Sequence, residues 1–158
     1  MPNADWIAFF TAEVGATAAL AGLVIVAISI NLARILSFPH LPGRAAEMLV
    51  ILIGALLVSS FMLFPAGILP RATYLALALA TWTIPVGALL RDLRKGALVR
   101  ATIGRAVLAQ LPTVPMLVGG WLMTAGDPAG IVWLAFAVLL ALVAAMVSTW
   151  VLLVEILR

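Results

Sequence analysis

Few residues in this chain could do chemistry. Its 158 residues include six acids, nine bases, one histidine and no cysteine. Glu13 stands out because it lies inside the apolar run Trp6–Leu36. An ionised side chain at the centre of a bilayer costs about 2.5–3.5 kcal/mol on insertion scales. Glu13 sits roughly two turns in from Trp6, so it is shallower and costs less, and a carboxyl there has two uses. It binds a proton or cation in a cavity, or it hydrogen-bonds a neighbouring helix and fixes its register. Projected at about 100° per residue, Glu13, Thr17, Leu20, Val24 and Asn31 share one side of the segment. Glu13 and Asn31 then stand about five turns apart, near opposite ends of one span. Matching depths along the chain yields two polar groups. An outer one comprises Glu13, Thr17, Ser59 and Ser60, and an inner one Asn31, Glu47 and Gln110.

The remaining reactive residues point to little else. His40 sits between Pro39 and Leu41, with Glu47 seven residues on, which is not the H-E-x-x-H spacing of a metal site. A lone imidazole can shuttle protons near neutral pH, but in a proline-flanked turn it reads as an interfacial residue. The absence of cysteine excludes disulfides, thiolate nucleophiles and thiolate-bound metals. No G-x-S-x-G, paired-carboxylate or glycine-rich phosphate motif occurs, so no enzyme, metal or cofactor is expected. Arg91, Arg94, Lys95, Arg100 and Arg105 fall in one stretch, interleaved with Leu93, Leu98 and Ile103. Such a loop binds anionic lipid head groups at about 1 kcal/mol per basic residue, or simply sets topology. Nothing pairs it with a nucleic-acid recognition fold.

The elements that must position these residues follow from composition. Two thirds of the chain is hydrophobic (66%), 9% is charged and the mean hydropathy is +1.28. A packed aqueous fold cannot hide that much apolar surface, so the bilayer is the solvent. The pattern predicts an all-α fold, a single integral membrane domain over 1–158 with five transmembrane helices. The spans fall at 6–36, 44–64, 71–90, 106–124 and 129–157, with the basic loop at 91–105. Prolines and glycines mark the turns at 37–43, 65–70 and 125–128. Pro85 predicts a kink in the third span. Pro112 and Pro115 either break the fourth helix, exposing carbonyls as in transporters, or only kink it. The N-terminus lacks a basic n-region and its apolar run exceeds a signal peptide's, so it is expected to stay as the first span. With the N-terminus outside and the C-terminus cytoplasmic, eight of nine basic residues fall inside and only Arg71 outside. The location expected is the cell inner (plasma) membrane.

The face of the first span opposite Glu13 is smooth. Gly15, Ala19 and Gly22 lie there, a surface for close helix packing within the monomer or between subunits. Ala137, Ala141, Ala144, Ala145 and Ser148 mark close packing on the fifth span. Two functions fit. One is a small bacterial-type channel or transporter-like unit, a homo-oligomer in which Glu13 forms a carboxylate ring near the outer mouth and Asn31 a polar ring near the inner one. The other is a non-catalytic accessory subunit of a larger membrane complex. The partners expected are the bilayer, anionic lipid head groups at the cytoplasmic face, and further copies or membrane subunits.

Overall fold

A computed structural model describes residues 4–38, 41–65, 67–94 and 99–157. His40, Lys95, Leu98 and the side chain of Arg100 lie outside the described residues. Six helices form: α1 (Ala4–Ile30), α2 (Leu32–Ser37), α3 (Leu41–Met62), α4 (Ala72–Arg94), α5 (Val99–Ala125) and α6 (Ala129–Leu157). Among the described residues there is no strand. Five of the helices, all but α2, are long and apolar enough to cross a membrane.

The helix ends show how local chemistry set them. Asn31 interrupts the first predicted span. Its side-chain Nδ2 donates to Ala27 O at 2.9 Å, while its own backbone N–H reaches the same oxygen at 3.3 Å. An amide that competes with the backbone in this way loosens a helix. The chain bends at φ −103°, ψ 14°, and α2 resumes at once. Next, α3 starts at Leu41, three residues before the predicted Arg44. Pro42 falls in its first turn, where a missing N–H leaves nothing unsatisfied. Leu41 packs with Ile35 and Ala45, pinning α2 to α3. The basic stretch is largely helical. Arg91 and Arg94 end α4, and Arg105 stands nearly two turns inside α5. Pro85, Pro112 and Pro115 sit within helices that continue through them, so the fourth span is not broken.

The α5–α6 turn is built entirely from its sequence, Ala-Gly-Asp-Pro. Gly126 adopts φ +84°, its N–H bonds Met123 O at 3.1 Å and Asp127 N–H bonds Leu122 O at 2.9 Å. This is the Schellman pattern that glycine allows. Asp127 then accepts from Ala129 N–H at 2.8 Å as the cap of α6, with Pro128 in the first turn.

Helices α3, α4, α5 and α6 pack in a ring, each against the next, and α1 lies outside on α3 and α6. The core between them gathers Val58, Ala78, Met116, Leu134 and Val138. Small residues bring the backbones together. A Cβ on Gly120 would stand 2.8 Å from Leu75 Cα, and one on Gly119 2.8 Å from Leu134 Cγ. On α6, Ala137, Ala141, Ala144 and Ala145 are buried as predicted.

On α1 the smooth face is not the one that packs within the monomer. Gly15, Ala19 and Gly22 are exposed, and nothing lies within 4 Å of a Cβ built on either glycine. The buried residues are Phe10, Glu13, Thr17, Ala21 and Val24. Phe10 and Val24 supply side chains that fill the groove on α3, which a row of alanines and glycines cannot do.

Candidate functional site

The outer group assembles at the seam of α1 and α3. These helices run antiparallel. Ala21 and Val24 share a cluster with Met48 and Leu52, and Phe10 shares one with Val58 and Met62. Counting along the two helices from those shared clusters brings Glu13 close to the level of Ser59, with Thr17 one turn further along α1. Thr17 and Ser59 are fully buried and Glu13 is 8% exposed. The Thr17 hydroxyl donates to Glu13 O at 2.6 Å. Glu13 Oε2 and Ser59 Oγ are both buried and hydrogen-bond to nothing. Buried polar atoms without partners cost about 1–3 kcal/mol each, so native structures hold few of them. Two on facing helices at one depth leave unused bonding capacity at one place. Ser60 does not join them. It is half-buried one residue further round α3, and its hydroxyl donates to Leu56 O at 2.8 Å.

The inner group takes a different membership from the one predicted. Arg105 Nε donates to Glu47 Oε2 at 2.8 Å, and its Nη2 donates to Glu47 Oε1. This two-pronged pair joins α5 to α3, helices that otherwise touch sparingly. Glu47 is buried, and the Arg105 side chain is 20% exposed. Gln110 follows on α5, where its Oε1 accepts from Trp82 Nε1 at 2.9 Å and from the buried Thr113 hydroxyl at 3.3 Å. A gap of about 10 Å³ has both Glu47 and Gln110 in its lining. Asn31 does not line it, since its amide is spent on its own helix.

Trp82 and Thr113 were missed by sequence reasoning, and Arg105 was assigned to the lipid-binding basic loop rather than to Glu47. Arg105 looked like the end of a loop. The available signal was Glu47 itself, because a carboxylate within an apolar helix is often paired with a cation at its own depth. Arg91 and Arg94 remain exposed at the end of α4. A second and larger cavity, about 30 Å³, opens between α3, α5 and α6 beside the ion pair.

The two groups differ chemically. Glu47 and Arg105 neutralise each other and tie helices together. Glu13 and Ser59 offer a carboxyl and a hydroxyl with no cation against them among the described residues, inside a low-dielectric seam. Such a pair can hold a proton or a small cation. No family model, curated protein or solved structure matches this chain.

Proposed function

We propose that the protein is a small multi-pass transport unit of the cell inner membrane, with Glu13 and Ser59 holding a proton or monovalent cation in passage. The observation that carries this reading is the pair of buried, unbonded oxygens, Glu13 Oε2 and Ser59 Oγ, at one depth of the α1–α3 seam. Burial of Glu13 against α3 favours a site within each subunit over a carboxylate ring between subunits. Helix α1 is the least buried span, at 17% against 56% for α3, so opening its seam disrupts the fewest contacts. The N-terminus is placed outside, because Arg34, Arg44, Arg91, Arg94 and Arg105 gather at the opposite end.

Proteoliposomes loaded with a pH-sensitive dye and given Na⁺, K⁺ or H⁺ gradients test this reading. Wild-type protein should pass at least one of these ions faster than empty vesicles. Glu13→Gln, which keeps the side-chain shape, should slow that flux by about tenfold or more. Wild-type vesicles no leakier than empty ones, or a Glu13→Gln variant equal to wild type, would remove the proposal.

A second reading, an accessory subunit of a membrane complex, draws support from one observation. The exposed stripe of Gly15, Ala19 and Gly22 lets another helix approach α1 closely without rearranging the bundle. The same stripe suits a second copy of this chain.

A further inference from the structure

The donor set at the α1–α3 seam decides which ion it suits. Among the described residues, the buried polar side chains are Glu13, Thr17, Glu47, Ser59, Thr81 and Thr113. Three of these are engaged elsewhere. Glu47 is paired with Arg105, and Thr81 and Thr113 donate to carbonyls of their own helices, α4 and α5. The seam is left with the Glu13 carboxyl and the hydroxyls of Thr17 and Ser59. Thr17 is already committed, donating to Glu13 O at 2.6 Å. Backbone oxygens add little. Helix α1 runs unbroken on both sides of Glu13, so its carbonyls there are held by helix hydrogen bonds. Pro85, Pro112 and Pro115, each of which leaves a helix carbonyl without its N–H, lie on α4 and α5. Room for water also lies elsewhere, since the cavities of about 30 and 10 Å³ open beside Glu47.

We infer that the ion held by Glu13 and Ser59 is a proton, and that the seam excludes Na⁺ and K⁺. The inference rests on reading these two residues as a transport site and names the ion they carry. A dehydrated metal cation needs a set of oxygens in place of its hydration shell, and this seam supplies too few. A proton needs only a carrier and an acceptor. Bound to Oε2, it makes the carboxyl a neutral donor, and Ser59 Oγ, which bonds nothing, is the acceptor at hand. The two atoms do not bond each other in this structure, so a turn of a side chain has to join them.

Proteoliposomes of the full chain, loaded with a pH-sensitive dye, test the inference. A pH step is applied in N-methylglucamine buffer with a permeant anion to balance charge, then repeated with excess Na⁺ or K⁺. Wild-type vesicles should take up protons without either metal, and neither metal should change the rate by as much as about twofold. Radioactive Na⁺ or Rb⁺ should enter no faster than into empty vesicles. Ser59→Ala deletes an unbonded buried hydroxyl, so it should fold at least as well as wild type in a thermal melt. It should nonetheless slow proton uptake about tenfold, and Ser60→Ala should not. Uptake that requires Na⁺ or K⁺, or tracer entry that Glu13→Gln abolishes, would overturn the proton assignment and leave the transport reading in place. Proton uptake equal in Ser59→Ala and wild type would overturn the part given to Ser59. Vesicles that pass no ion at all would remove the transport reading, and this inference with it.

Discussion

At the scale of single residues, the membrane interior makes each polar group a commitment. Glu47 and Arg105 show the resolved form, with both carboxylate oxygens engaged by one guanidinium. Removing one partner leaves a buried charge alone, which costs about 3–5 kcal/mol, whereas replacing both with apolar groups is often neutral. Glu47→Gln is therefore expected to lower stability by roughly 3 kcal/mol in an unfolding titration from mixed micelles, and the Glu47→Leu/Arg105→Met double variant to recover most of the loss. A double variant as weak as the single would show that the pair contributes more than mutual neutralisation. Glu13 shows the unresolved form, its Oε2 buried without a partner. Glu13, Thr17 and Ser59 could be grouped from the sequence because depth along a helix can be counted, and all three are buried. Sequence reasoning misjudged Ser60 and Asn31 because both satisfy themselves on their own helices, at Leu56 O and Ala27 O. Counting residues does not reveal that choice.

At the scale of elements, close packing decides which faces meet. Hydropathy located the five spans, and turn residues fixed some ends closely, as Asp127 and Pro128 did for the start of α6. Which side of a span faces inward was less legible. The glycine stripe on α1 looks outward, while glycines on other helices mark close approaches, among them Gly54 on α3, Gly130 on α6 and the adjacent pair on α5. Successive residues point about 100° apart, so Gly119 admits α6 and Gly120 admits α4. Such a pair carries no periodicity to detect. A methyl on Gly120 would meet the backbone of Tyr74 and Leu75 at 2.8–3.0 Å, which cannot yield without moving α4. Gly120→Ala should cost about 1–3 kcal/mol, the usual range for overpacking. Gly104→Ala, on the same helix with open space around it, should stay within about 0.5 kcal/mol of wild type or gain stability through helix propensity. Equal losses in the two variants would contradict the packing scheme.

At the scale of the whole molecule, a ring of four helices carries a fifth, α1, on its outside. Its inner side holds Glu13, and its outer side is smooth and uncovered by any of the described residues. If copies associate through that smooth side, native mass spectrometry will find an oligomer that Gly22→Leu dissociates. An oligomer indifferent to Gly22→Leu uses another face. The proposed activity depends on something narrower, a carboxyl at the α1–α3 seam that exchanges a proton or cation. The direct measurement is labelling by a membrane-permeant carbodiimide, read by intact mass and peptide mapping, across a series of Na⁺, K⁺ and H⁺ concentrations. The account predicts one adduct on Glu13, none on the paired Glu47, and labelling of Glu13 that changes with at least one of the three ions. Labelling that ignores all three ions, or an unreactive Glu13 in folded protein, would make this carboxyl a packing residue and contradict the account.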